Sequence, residues 1–90
     1  MRYEIRFSPH ANREFKKLPK GVKAEIDLVI KALADDPRPY GYRKLHRWED
    51  KYRVRIGDYR VIYEIHDGVL LVLVVSVGDR ADIYRRFKSS

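Results

Sequence analysis

Lys51-Tyr52-Arg53-Val54-Arg55-Ile56-Gly57-Asp58-Tyr59-Arg60-Val61-Ile62-Tyr63-Glu64-Ile65 reads as two alternating strands joined by Gly57-Asp58, a pair suited to a tight hairpin turn. Side chains alternate along a strand, so Tyr52, Val54 and Ile56 share a face with Tyr59, Val61, Tyr63 and Ile65. That face is apolar. The opposite face carries Lys51, Arg53, Arg55 and Arg60. A two-residue turn sets Ile56 opposite Tyr59 and Arg55 directly opposite Arg60. Like charges opposed across a strand pair destabilise a sheet. Three guanidiniums in one patch therefore call for an anion, and their forked geometry matches phosphate oxygens, as in a nucleic-acid backbone.

The charge of the whole chain agrees. Its 90 residues carry a formal net charge of +7 and a pI near 9.8. Between Arg38 and Arg60 there are eight Lys/Arg against three acids, so most of the excess sits in about a quarter of the chain. A concentrated excess points to a polyanionic partner more directly than an even spread, whose plain alternative is a soluble basic surface. The length predicts one small domain over residues 1–90, and 44% apolar residues suffice for a folded core. Cysteine is absent, so neither disulfides nor thiolate metal ligands enter. The longest apolar run, Val69 to Val75, is too short to cross a bilayer, and no signal-like segment opens the chain. A soluble, cytoplasmic protein without membrane contact is expected. One Asn with no Gln, Thr or Cys resembles a thermophile's depletion of labile side chains.

Working outward, Arg2-Tyr3-Glu4-Ile5-Arg6-Phe7 alternates and predicts a half-exposed strand. Ser8-Pro9 is a helix start, a capping hydroxyl followed by proline at the first helical position. Ala11, Phe15 and Leu18 give a short stripe that Pro19 to Gly21 breaks. Val22, Ile26, Val29, Ile30 and Leu33 then mark a second helix, which Asp36-Pro37 stops. The basic segment 38–50 predicts a connection with a short strand near Lys44-Leu45. After the hairpin, His66-Asp67-Gly68 predicts a three-residue turn with glycine in the left-handed position. Val69 to Val75 lacks alternation and reads as a central strand covered on both faces. Ile83, Tyr84 and Phe87 suggest a last helical turn. The expected fold is α+β: an antiparallel sheet of about four strands in the order β-α-α-β-β-β, a helical hairpin on one face and a short C-terminal helical turn.

Antiparallel geometry extends the site. Pairing Ile65 with Val69 would pair Arg60 with Val74, and the chain would leave that strand beside the Gly57-Asp58 turn. Arg80 and Tyr84 should then emerge near Arg55 and Arg60, so that four guanidiniums and a phenol could line one concavity. Guanidinium stays protonated at physiological pH and suits stabilisation of charge on a pentacoordinate phosphorane. Tyr84 could stack on a base or exchange a proton. The patch has no carboxylate pair of the kind that holds Mg²⁺, which argues against two-metal nuclease chemistry, and no cofactor is implied. Among the histidines, His10 and His66 read as solvated surface residues. His46 could reach the patch as a base or a stacking group. Trp48 reads as a packing residue, with contact to a base or partner as the other option. Tyr40, Tyr42, Tyr52, Tyr59 and Tyr63 read as core or strand-edge residues.

These residues resemble the RelE/ParE superfamily of toxins from type II toxin–antitoxin modules over nearly the whole length. The resemblance rests on Phe15-Lys16-Lys17-Leu18-Pro19, Lys44-Leu45, the stretch Tyr52 to Ile65, and Val77-Gly78-Asp79-Arg80-Ala81-Asp82-Ile83-Tyr84. It implies a metal-independent endonuclease cutting mRNA in the ribosomal A site, where the substrate's 2′-hydroxyl attacks the adjacent phosphate in line. By position it implies that Arg53 and Arg55 contact the scissile phosphate and its neighbours. Arg60 would stabilise developing charge, Arg80 would assist at the leaving group or phosphate, and Tyr84 would stack or orient the nucleophile. Lys44, His46, Arg47 and Lys51 would bind RNA around them. The partners implied are an acidic antitoxin, encoded adjacently, and the ribosome with its mRNA and rRNA. One departure stands out: Arg53 and Arg55 occupy positions where the best-studied branch has lysines, one of them a candidate general base. The ParE branch, which inhibits DNA gyrase without cleaving RNA, and a non-catalytic basic RNA-binding module are the alternative readings.

Overall fold

A computed structural model of the chain describes residues 2–45, 48 and 50–87. Strand β1 (Glu4–Phe7) leads into helix α1 (Pro9–Lys16), whose cap is the expected one: Ser8 Oγ accepts from the Ala11 N–H at 3.1 Å, with Pro9 opening the helix. Helix α2 (Lys20–Ala32) begins directly after Pro19, so Gly21 lies in its first turn rather than in the break. Two-residue β2 (Arg43–Lys44) follows, then β3 (Lys51–Ile56), β4 (Tyr59–His66), β5 (Leu71–Asp79) and helix α3 (Arg80–Arg86). Among the described residues, no helix is long and apolar enough to cross a membrane.

The fold is α+β, with two corrections to the expected sheet. It has five strands in the order β1-β5-β4-β3-β2, and β1 pairs parallel with β5, so the sheet is mixed rather than antiparallel. The parallel edge follows from the helices. Helix α1 leaves β1 without a linker and packs on β5, with Phe7 and Phe15 in contact at 5.5 Å. The middle strand is β4, because β2 and β3 extend the sheet beyond it; β5 remains interior.

Alternation decides what each face buries. Val54, Val61, Tyr63, Val72, Val74 and Val77 pack with Ala11, Ile26, Ile30 and Leu33 beneath the α1–α2 hairpin. Fully burying an aliphatic side chain of this size stabilises by about 1.5–3 kcal/mol. A smaller cluster of Leu45, Ile62, Ile83 and Phe87, with Val75 at its margin, seats α3 on the opposite face. Hydrophobic spacing therefore fixes both helical layers, and α3 alone lies on the arginine face.

The β3–β4 register is the expected one, with Ile56 opposite Tyr59 and Arg55 opposite Arg60. The β4–β5 register is not. Ile65 pairs with Val72, and Arg60 with Gly78. The connection is a 3-10 turn over Asp67–Val69 followed by Leu70, which takes the left-handed conformation (φ 49°) expected of Gly68. A bulge between Ile62 and Tyr63 shifts the register once more. Both irregularities move β5 forward along β4, which brings Asp79 level with Tyr59 and starts α3 at the hairpin turn.

Candidate active site

The hairpin supplies three of the site's guanidiniums. Gly57 adopts a left-handed φ of 59°, which lets the chain reverse in two residues and leaves Arg55 and Arg60 facing one another. Arg53 lies two residues back along β3, on the same face. The fourth guanidinium comes from α3. The Arg80 N–H donates to the Asp58 carbonyl at 2.7 Å, so the first residue of α3 is tied to the turn itself. Asp79 caps the helix by accepting from the Asp82 N–H at 2.9 Å. Ile83 is buried and holds the helix down, which leaves Tyr84 outward and 62% exposed.

These pieces enclose a cleft of about 390 Å³ lined by Arg53, Arg55, Arg60, Arg80, Ala81, Ile83 and Tyr84. All five residues marked from sequence as a reactive group line it together. Among the described residues, the lining offers neither carboxylate nor imidazole and presents guanidinium and phenol. Arg60 is oriented by its own turn: Nη1 donates to the carbonyls of Gly57 (3.2 Å) and Tyr59 (3.1 Å). Burial, then Arg55 and Arg80, hold its pKa below the usual arginine value, although Asp58 opposes them. Burial also lowers that of Arg53, with Arg55, Arg60 and Arg43 adding to the effect. Crowded cations of this kind lower their mutual repulsion by taking an anion.

The flanking basic residues divide. Lys44 pairs in register with Tyr52, on the helix-covered side, and stands exposed away from the cleft. Lys51 is tied to Glu64 at 2.8 Å and to Asp50 at 3.3 Å, and does not line the cleft. His46 and Arg47 lie outside the described residues. Trp48 packs edge-on against Phe87, its centroid 5.3 Å away, as a packing residue should. His10 is half-buried, with Nε2 shielded from solvent 3.3 Å from Glu14 Oε1, rather than solvated. His66 binds Glu64 at 2.8 Å, at the far end of the sheet. Tyr40 is fully exposed and belongs to neither core nor strand edge.

Two features escaped the sequence reading. Arg43 pairs with Arg53 and so shares the arginine face. Its strand is only two residues long, too short for alternation to mark. The other is Glu14, which accepts from Ser76 Oγ (2.9 Å), the Val77 N–H (3.0 Å) and Arg86 Nη1 (2.8 Å). Helix α1 is thereby joined to β5 and to the end of α3, beyond the point where β1 stops covering the edge of β5. No local pattern predicts a carboxylate bridging residues this distant in sequence.

Comparison with known proteins follows the same lines. The family described as the ParE toxin of the type II toxin–antitoxin system, parDE, matches residues 5–84. The chain belongs to this toxin family. Its similarity to RelE-like members is extensive. Toxin RelG of Mycobacterium tuberculosis is 33% identical over 87 residues, covering 96% of this chain and 100% of the relative. The mRNA interferase toxin RelE of Escherichia coli is 28% identical over 88 residues, covering 93% and 92%. Among solved structures, the toxin–antitoxin complex RelBE2 from Mycobacterium tuberculosis superposes with a TM-score of 0.80 at 30% identity, covering 91% of this chain and 95% of that one. In this toxin family member, then, the arginine cleft lies between the β3–β4 hairpin and α3.

Proposed function

We propose that this toxin is a metal-independent endoribonuclease that cleaves mRNA in the ribosomal A site and so arrests translation. The observation that carries the reading is the convergence of Arg53, Arg55, Arg60, Arg80 and Tyr84 on one cleft. The RNA strand supplies its own nucleophile. The 2′-oxygen attacks the adjacent phosphorus and the bond from phosphorus to the 5′-oxygen breaks, leaving a 2′,3′-cyclic phosphate and a 5′-hydroxyl. The 2′-proton passes to water or through the Tyr84 hydroxyl, and the departing 5′-oxygen takes up a proton in turn. None of the arginines can accept that proton, so their part is alignment and charge stabilisation. Arg60, fixed by two carbonyls, faces the developing phosphorane charge, and Arg80 stands at the leaving side. Holding the strand in line can itself supply a large part of the barrier reduction.

An antitoxin is the matching partner, since relatives are solved as toxin–antitoxin complexes, and the basic cleft calls for an acidic one. Its carboxylates would neutralise the cleft, while apolar residues anchor it on the helices. The ribosome, with its mRNA and rRNA, is the other partner. The family's ParE description raises the alternative of gyrase inhibition without RNA cleavage.

Primer extension on ribosome-bound message separates the two. Wild type should give discrete new 5′ ends, and Arg60→Ala or Arg80→Ala should each lower the cleavage rate by about 10²–10³, the scale of losing one transition-state donor. Intact message accompanied by DNA damage would establish the gyrase reading instead.

A further inference from the structure

The arginine face continues past the cleft. Arg43, on the edge strand β2, is the register partner of Arg53, just as Arg60 is the partner of Arg55. Two like-charged cross-strand pairs therefore lie side by side, each of a kind that weakens a sheet. Arg53 belongs to both groups, since it lines the cleft and also opposes Arg43. Its Nη1 is shielded from solvent and meets no hydrogen-bond acceptor among the described residues. Arg43 is exposed and does not line the cleft.

We propose that Arg43 and Arg53 form a second phosphate subsite, one strand outward from the cleft, which takes the phosphodiester next to the scissile one in a single RNA strand. The inference rests on the ribonuclease reading for the identity of the strand. Its geometry comes from the sheet. Arg53 and Arg55 are two residues, roughly 7 Å, apart on β3, and their pairs extend to opposite sides of that strand. That spacing is comparable to the one-ribose span between successive phosphates in an extended strand. An extended acidic peptide repeats its same-face carboxylates at a similar interval, so the choice of RNA comes from the ribonuclease reading and from the planar match of guanidinium to phosphate. Each pair presents planar forks that match phosphate oxygens.

The test measures binding, so it stands apart from cleavage. NMR titration at low salt compares 2′-O-methyl uridine trinucleotide, with two phosphodiesters, against the dinucleotide, with one; the methyl group blocks the nucleophile. Arg43→Ala should weaken trinucleotide binding about three- to fivefold, the scale of one partly exposed charged contact, and leave dinucleotide binding within about twofold. The slope of log K against log salt for the trinucleotide should fall by about 0.7. Arg43→Lys should keep that slope, which excludes a general disturbance of the edge strand. An equal effect on both probes overturns the subsite, as does no effect on either. So does wild type binding the trinucleotide no more tightly than the dinucleotide. Weakened binding of a triglutamate peptide with unchanged trinucleotide affinity would reassign the pair to an acidic protein. Failure of wild type to cleave mRNA would refute the ribonuclease reading and leave these binding differences standing.

Discussion

The main-chain N–H of Arg80 donates to the carbonyl of Asp58 at 2.7 Å, joining the first residue of α3 to the β3–β4 turn across 22 residues of sequence. One hydrogen bond thus places the α3 guanidinium in register with those of the hairpin. Its geometry depends on the turn having two residues. Insertion of one glycine between Gly57 and Asp58 should leave the buried clusters intact and displace both Asp58 and the Arg60 side chain. Cleavage should fall by at least about 10², the loss expected when a positioned donor moves by an ångström or more, while the melting temperature changes by only a few degrees. An insertion variant that cleaves at the wild-type rate would show that the tie does not position the site.

The opposed Arg55 and Arg60 should cost stability for as long as the cleft is empty. Removing one of them relieves the repulsion. Arg55→Thr should stabilise the free protein by about 0.2–1 kcal/mol in urea unfolding at low salt, and the gain should shrink at high salt as screening does the same work. The same variant should lose cleavage activity. A destabilised Arg55→Thr would mean that Arg55 contributes packing along its stem that outweighs the charge term.

Legibility followed the range of the physics involved. The β3–β4 hairpin was readable because turn chemistry and alternation are both local: Gly57-Asp58 sets the turn, and Val54, Val61 and Tyr63 fall on the buried side. Hence the three hairpin arginines could be named from local pattern, whereas Arg80 and Tyr84 depended on where the antiparallel return of the chain leaves them. The β4–β5 offset was not readable, because Leu70 adopts a left-handed φ without being glycine, and the bulge near Val75 leaves no compositional mark. The two shifts in register add, yet either arrangement returns the chain to the same end of the sheet. The parallel β1–β5 edge was missed because strand direction is set by where α1 packs, not by the alternation of Tyr3, Ile5 and Phe7. Arg43 and Glu14 act through partners that only the folded sheet brings near.

Gly57 gives a direct measure of turn strain. A Cβ added there meets nothing within 4 Å, so any cost of Gly57→Ala is conformational, arising from its φ of 59°. A destabilisation of about 1 kcal/mol is expected in urea unfolding, with an unchanged m-value. Gly78→Ala is the control. Its Cβ would make only ordinary contacts, 3.7–3.8 Å, with Ile83 and Asp82, and its φ lies outside the left-handed range. That change should be neutral or stabilising by a few tenths of a kcal/mol. Equal effects at the two positions would refute the assignment of strain to the turn.

The Glu14 cluster makes a prediction about acid. Burial alone would raise the Glu14 pKa, but hydrogen bonds from Arg86, the Val77 N–H and Ser76 outweigh it and hold the carboxyl below the usual range. Asp67 is depressed as well, chiefly by hydrogen bonds from Arg38 and Tyr3. A group whose folded pKa is depressed contributes stability that is fully present above its unfolded value. For glutamate and aspartate that value is near pH 4, and the contribution is lost as pH falls further, through the folded value. Wild-type stability should therefore drop on acidification below about pH 4.5. Glu14→Gln should be less stable than wild type at neutral pH by about 1–3 kcal/mol, because Arg86 and the Val77 N–H lose an ionised acceptor. Its stability curve should also be flatter on the acid side, so that the two proteins converge at low pH. Urea unfolding across pH 2–7 reads both features, and parallel curves would show that the three donors to Glu14 carry no net preference for the ionised carboxyl. Because Arg86 closes α3, Glu14→Gln should also lower cleavage at neutral pH, whereas Arg6→Ala, which removes an exposed pair with Glu4 on β1, should leave it unchanged.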